Sequence, residues 1–469
     1  MRRKKIQGDL SRRKVLKYGL YGSLSAALSS SLWVSGCGKT GPKKKLNVLV
    51  VSIDTLRADH VSCYGYGKPT TPNADRLAEE GHVWSRAYTT MPTTLPAHTS
   101  MFTSLYPRQL SVRRNGDRIP EKAVMLAQLL QSKGYSTGGF VSGYSLSSRY
   151  GFNRGFETFM DIRGMKVCPA EVTLGRALKW LAEHRDDLFF LFAHLFDPHT
   201  SYHAPGKFRA KFGAPNKAEP PEFDFLKNPG YFTLEKIRDV TAAYDAEIAY
   251  ADWAFGQLRR KVSELGLDES TIIVLTSDHG ESLDELLVRY NYGFDHGEFM
   301  YAHQLHIPMI IYVPTMEARA KEQRVHTVPV SIVDVMPTLL ELLDIKHAAG
   351  MVGNSLVPML YGKKMSRGPV FSERRIFKEA PKPYLGGDDC SIIKEKWHLI
   401  YSTASKSELY NIEKDPLERM ILSSEEAEFA KLNKQVQQWR QKTRPLYFPS
   451  GFETDPKAME RLRSLGYIE

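Results

Sequence analysis

The sequence predicts an α/β fold: a three-layer αβα domain with a central, largely parallel sheet, followed by a smaller C-terminal α+β subdomain. Three observations point there. Residues 46–53, 188–195, 271–276 and 307–313 are short, near-continuous apolar runs rich in Val, Ile, Leu and Phe. Runs without polar alternation suit strands covered on both faces, the condition of a parallel sheet. Segments with apolar residues at helical spacing lie between them, and after about residue 345 the runs shorten and the pattern changes.

The first 45 residues stand apart from that fold. Arg2, Arg3, Lys4, Lys5, Arg12, Arg13, Lys14 and Lys17 are followed by an apolar, small-residue stretch over 18–34 and then Ser35-Gly36-Cys37. A basic end, an apolar middle and small residues at a cleavage point form a secretion signal. Ser11-Arg12-Arg13-Lys14-Val15-Leu16-Lys17 resembles a twin-arginine export signal, and Val34-Ser35-Gly36-Cys37 resembles a bacterial lipobox. The expectation is a signal peptide over 1–36, a lipid on Cys37 and a basic linker over 37–45. That makes an exported bacterial lipoprotein of the cell envelope, held to a membrane through Cys37. An uncleaved apolar anchor is the alternative, although a span needs about 20 apolar residues. Both readings tether the chain outside the cytoplasm.

This segment also explains the charge. Residues 1–45 hold twelve Lys or Arg against one Asp, a balance of +11, and the whole chain is +11, so residues 46–469 balance to zero. The basic patch that nucleic-acid binding requires is therefore not indicated on the folded part. Apart from Cys37, the cysteines are Cys63, Cys168 and Cys390, odd in number and without a CxxC pair. They argue against a disulfide framework or a cysteine-built zinc site, and packed, inert thiols are expected.

Residues 46–345 read as the catalytic domain. Thr71-Pro72 opens a helix over 73–80 that stops at Gly81; another covers 122–133 and stops at Gly134; two more cover 234–265 and 334–343. Residues 346–469 form the C-terminal subdomain, with strands at 369–372 and 397–401 and a polar helix over 425–443. Oligomeric state is not legible.

Ligands in open α/β sheets bind beyond the carboxyl ends of the strands. Three of the apolar runs lead into acidic and imidazole residues: Asp54, Asp197-Pro198-His199 and Asp278-His279-Gly280-Glu281. An Asp after a strand is also a common turn former, but three such coincidences favour a site. Carboxylate with imidazole is a ligand set for a divalent cation: calcium, magnesium, manganese or zinc. In Pro92-Thr93-Thr94-Leu95-Pro96-Ala97-His98, Pro96 favours a first helical turn, placing Thr94 at or beside the helix N-terminus, where backbone N–H groups favour anions. Thr94 is either a helix cap or a nucleophile, and the neighbouring cation ligands favour the nucleophile.

These residues resemble the sulfatases, within the alkaline phosphatase superfamily. Asn47-Val48-Leu49-Val50-Val51-Ser52-Ile53-Asp54-Thr55-Leu56-Arg57 is similar to their opening strand and metal motif. Thr94-Leu95-Pro96-Ala97-His98 is similar to the nucleophile segment, Asp197-Pro198-His199 to an anion-pocket segment, and Thr276-Ser277-Asp278-His279-Gly280-Glu281 to the second metal motif. His296-Gly297 and Leu409-Tyr410-Asn411-Ile412 continue the match to the C-terminal signature. The resemblance implies one or two divalent cations, with Asp54, Thr94, Asp278 and His279 as ligands. Thr94, His199 and His296 are then catalytic, His98 and Asp197 bind substrate, and the substrate is a small anionic ester, first a sulfate ester. Sulfatases of the usual type carry Cys or Ser at the Thr94 position, oxidised to formylglycine, Arg at the His98 position, and a second acidic residue at Thr55. A Thr nucleophile is also similar to two-metal phosphodiesterases or phosphoryl transferases, in which Asp197, His199 and His296 hold a second ion. A non-catalytic anion-binding lipoprotein is the third reading.

Overall fold

The computed structural model describes residues 45–162, 168–215, 233–314, 324–346, 350–376, 386–424 and 426–464. The export signal, Cys37 and the linker lie outside the described residues.

Eight strands form the main sheet: β1 (Asn47–Ile53), β2 (His82–Trp84), β3 (Ser136–Val141), β4 (Thr158–Met160), β5 (Phe189–Leu195), β6 (Thr271–Ser277), β7 (Met309–Tyr312) and β8 (Val325–His326). Their order is β8-β2-β7-β6-β1-β5-β3-β4, and every pairing is parallel except those of β7. Alternate residues of one strand enter different cores. Val48, Val50, Phe190, Phe192, Ile272 and Val274 pack with the helices Thr94–Thr103, Leu126–Ser132 and Val335–Leu342. Leu49, Val51, Phe189, Leu191, Ile273 and Leu275 pack with Pro72–Glu80, Ala170–Glu183 and Leu234–Glu264 on the opposite face. Burial on both faces is why these strands carry no polar alternation.

The C-terminal subdomain is a four-stranded antiparallel sheet, Val370–Glu373, Cys390–Lys394, Trp397–Tyr401 and Glu408–Asn411, in that order. Helix Ala427–Lys442 covers it, placing Leu432, Val436 and Trp439 on Cys390, Ile392, Leu399 and Leu409.

Three expectations need correction. The run 307–313 is not one parallel strand. Pro308 lacks a ladder N–H and divides it: His306–Ile307 pairs with Ala87–Tyr88 in a small second sheet, while β7 runs antiparallel to both its neighbours. The helix expected over 122–133 begins only at Leu126. Cys63 is exposed rather than packed, although Cys168 and Cys390 are buried.

Candidate active site

Register brings the strand ends level. Ile53 of β1 lies opposite Leu195 of β5 and Ser277 of β6, so the next residues, Asp54 and Asp278, emerge side by side. Even-numbered residues of these three strands face the helix Thr94–Thr103, as Val48, Phe192 and Val274 show; Ser52, Asp54, His194 and Asp278 follow that alternation. The turn after Asp54 puts Thr55 at φ 52°, the left-handed region that a β-branched residue rarely adopts. In return the Thr55 N–H donates to Asp278 Oδ1 at 3.3 Å, and Tyr244 Oη donates to Thr55 O at 2.7 Å. The Leu56 N–H donates to Ser277 Oγ at 3.1 Å, and that hydroxyl donates to His279 O at 2.6 Å. The loops after β1 and β6 are thus stitched together.

At their junction His279 Nε2 lies 3.2 Å from Asp278 Oδ2 and 3.7 Å from Asp54 Oδ1. Its Nδ1–H donates to Gly280 O at 2.9 Å, since a carbonyl only accepts, so Nε2 turns its lone pair toward the carboxylates. Both Asp54 oxygens and Asp278 Oδ2 are buried without a hydrogen-bond donor among the described residues. Burial pushes both carboxyl groups above the usual range, and at Asp278 the Asp54 charge adds to the effect. Converging lone pairs and orphaned oxygens are the donor set a divalent cation satisfies, so these residues fit the metal the resemblance implies.

Thr94 is the first residue of the helix Thr94–Thr103, and its Oγ1 stands 3.4 Å from His279 Nε2. The next amide, Leu95 N–H, donates to the buried Asn115 Oδ1 at 2.9 Å. One turn on, His98 is buried beneath Thr94, with Nδ1 2.9 Å from Thr94 O and Nε2 2.9 Å from Ser52 Oγ. Imidazoles flank the other side: the His296 ring lies 4.3 Å from that of His279 and 4.9 Å from that of His199. His296 Nδ1 lies 3.3 Å from Glu281 Oε1, and His199 stacks on Phe196 at 4.4 Å. Burial holds His296 well below the usual imidazole range, helped by His279 and then His199, and burial also lowers His199.

Asp197 stands in a different setting. Its Oδ2 accepts from the Ala170 N–H at 2.9 Å, at the start of the helix Ala170–Glu183, and burial raises its carboxyl to about 6. Glu247, pushed up by burial and then by Asp197, is its neighbour. Tyr150, Tyr202 and Tyr301 are buried. Tyr144 lines a cavity of about 580 Å³ with Arg118, Arg149 and Arg461.

Sequence reasoning missed His194. It is fully buried on β5 opposite Ser52, and its Nε2 lies 3.3 Å from Asp54 Oδ2. Burial lowers His194 to about 4 and His98 to about 3, so both rings are neutral. The signal was present: His194 is the one ionisable residue within Phe-Phe-Leu-Phe-Ala-His-Leu. Only the parallel register shows that it sits below Asp54. Among the described residues, two groups bring their ligand atoms within 4.8 Å: Asp54–Asp278–His279 and His98–His194–Asp278. Asp197, His199 and His296 belong to neither.

Comparison with known proteins agrees with this geometry. Residues 46–345 match the family model described as Sulfatase, and residues 291–444 match that described as N-sulphoglucosamine sulphohydrolase, C-terminal. The chain is 25% identical to arylsulfatase K of Gallus gallus, over 72% of this chain and 69% of that one. It is 22% identical to the Δ4,5-hexuronate-2-O-sulfatase of Bacteroides thetaiotaomicron, over 83% of this chain and 87% of that one. A solved protein in complex with its substrate D-glucosamine-2-N,6-O-disulfate shares the fold, with a TM-score of 0.69 at 19% identity, over 85% of this chain and 97% of that one. With its strand ends, carboxylate pair and C-terminal sheet so placed, the chain belongs to the sulfatase family, a family of sulfuric ester hydrolases.

Proposed function

We propose that the chain hydrolyses a sulfate ester with Thr94 as nucleophile, beside a divalent cation held by Asp54, Asp278 and His279. The observation that carries this is Thr94 Oγ1 at 3.4 Å from His279 Nε2, whose neighbouring carboxylate oxygens no donor satisfies among the described residues. When bound, the cation polarises the ester and lowers the pKa of an adjacent hydroxyl. The Thr94 oxygen attacks sulfur, the bond from sulfur to the ester oxygen breaks, and a sulfo-threonine forms. His199 and His296, kept neutral by burial, take up the Thr94 proton and pass it to the leaving alkoxide. Water then cleaves the sulfo-threonine, restoring the hydroxyl and releasing sulfate. Formylglycine has no place here, because residue 94 is threonine.

An aryl sulfate assay tests this reading. Thr94→Ala and Asp278→Ala should each lower kcat/KM by about 10³-fold or more. Variants as active as wild type would remove Thr94 and the carboxylate cluster from the chemistry. Faster turnover of a phosphodiester than of the aryl sulfate would reassign the substrate, and no turnover of either would leave an anion-binding lipoprotein.

The same proposal places the enzyme outside the cytoplasm, anchored by a lipid on Cys37. Mass spectrometry of the membrane fraction should find Cys37 as the lipidated first residue; an unmodified Cys37 would refute the anchor.

A further inference from the structure

The sheet edge that bears Asp54 also bears a cavity that the chemistry above does not use. β1, β5, β3 and β4 are parallel neighbours in that order, so their carboxyl ends share one edge. Strands stand about 4.8 Å apart, which puts the ends of β3 and β4 roughly 10–14 Å from that of β1. Tyr144, Ser147 and Arg149, which follow β3, and Asp161, which follows β4, line the cavity of about 580 Å³ with Arg118 and Arg461. Arg118 follows Asn115 by three residues, a span of at most about 11 Å, and Asn115 accepts from the Leu95 N–H beside Thr94. The three guanidinium groups are unevenly answered. Arg149 meets Glu453 at 3.1 Å and Asp455 at 3.6 Å. Arg118 and Arg461 form no ion pair among the described residues, which leaves them facing Asp161 alone. Asp161 in turn accepts at Oδ2 from the Ser148 N–H at 3.0 Å and from its hydroxyl at 2.6 Å. Arg461 is half-buried: its guanidinium lies 4.4 Å from the centre of the Tyr144 ring, and Nη2 donates to Ile162 O at 3.3 Å. Its Nε, and the hydroxyl of the buried Ser147, meet no partner among the described residues. Charge buried without a counter-ion is costly, and an anion in the cavity offsets that cost.

We propose that this cavity is a second anion subsite, which takes a carboxylate or a further sulfate of the same molecule whose scissile sulfate sits at Thr94. This deepens the proposed function and rests on its reading of a sulfate ester. The substrate it names is an extended ester with two anionic groups about as far apart as the ends of β1 and β3 or β4, rather than a simple aryl sulfate. Arginine suits the task, because its planar fork donates two parallel N–H bonds to the paired oxygens of an anion. Arg118 and Arg461 hold the remote anion and so set specificity; they take no part in bond cleavage. Arg149, clamped by Glu453 and Asp455, shapes the wall.

The test is calorimetric binding to the full chain carrying Thr94→Ala, so that turnover does not obscure affinity. Three probes are compared: a disaccharide with one sulfate, the same disaccharide with a second sulfate on its other ring, and the same with a carboxylate there. At least one two-anion probe should bind about tenfold or more tightly than the monosulfated one, and the larger gain names the anion the cavity prefers. Adding Arg118→Ala or Arg461→Ala should bring that ratio toward one. Equal affinity for all three probes, or a preference that survives both arginine variants, would overturn the proposal. Arg118 is exposed, so its variant decides should Arg461→Ala fail to fold. Hydrolysis by the wild-type chain, followed separately, keeps the two readings apart. A two-anion preference that the arginine variants lose, without hydrolysis, sustains the subsite and removes the proposed function; hydrolysis without that preference does the reverse.

Discussion

At Gly280 the chain has no room for a side chain. A Cβ there would lie 2.1 Å from His303 O, and the Gly280 N–H already donates to Gln304 O at 2.9 Å. The loop that aims His279 is therefore pressed against the segment Ala302–Leu305. Gly280→Ala should lower stability by about 1–3 kcal/mol, the usual range for overpacking, read as a shift in the urea midpoint. Because the displaced backbone carries His279, metal affinity should fall in the same variant. At this scale Asp54, Asp278 and His279 were legible because each follows an apolar run, where the chain leaves the sheet. His194 was not, since its place beside Asp54 depends on lying opposite Ser52 in register, and a parallel register is set by residues more than a hundred positions away.

The elements around the site are joined by buried charge. Arg57, 2% exposed, donates to both Asp59 oxygens at 2.9 and 2.8 Å, to Glu281 O at 3.1 Å and to Glu285. Burial alone would raise the Glu285 carboxyl, but Arg57 and then His303 bring it down from 4.5 to about 2. The folded value is depressed, so the stability it contributes is fully present above pH 4.5 and lost as pH falls toward about 2. The shift corresponds to ~3 kcal/mol at most. Unfolding free energy measured across that window should fall less steeply in Glu285→Gln than in wild type; equal slopes would mean that the ion pair adds nothing. The three central strands and the helices Pro72–Glu80, Leu234–Glu264 and Val335–Leu342 were readable from apolar runs and stop residues, whereas the strands His82–Trp84, Ser136–Val141 and Thr158–Met160 and the helix Ala170–Glu183 were not. The direction of β7 was not, because composition marks a buried strand without saying which way it runs.

Across the whole molecule, the described residues from 45 onward form one compact unit, and an ionic seam joins the C-terminal sheet to the αβα layers. Glu373, fully buried at the end of its strand, accepts from the Arg108 N–H at 2.9 Å and from Arg108 Nε at 3.0 Å, and lies 2.9 Å from Arg113 Nη2. Asp388 binds Arg113 at 2.7 Å and Arg440, on the covering helix, at 3.0 Å. Glu373→Ala would leave Arg108 and Arg113 with Asp388 as their carboxylate partner and should cost about 1–3 kcal/mol for the donors left unsatisfied. Urea unfolding should remain a single transition in wild type. A separate early transition of the C-terminal sheet would show that the seam does not couple the two parts. The fold class was legible at this scale from the change of pattern near residue 345. The seam was not, because Arg108 and Glu373 meet only after the sheet has formed.

Diffraction from manganese-soaked crystals, collected at the manganese edge, tests most directly whether the strand ends hold a cation beside Thr94. An anomalous peak bonded to Asp54, Asp278 and His279, with Thr94 Oγ1 in its coordination shell, is expected. A peak elsewhere, with those four side chains bonded only to water or to one another, would contradict it.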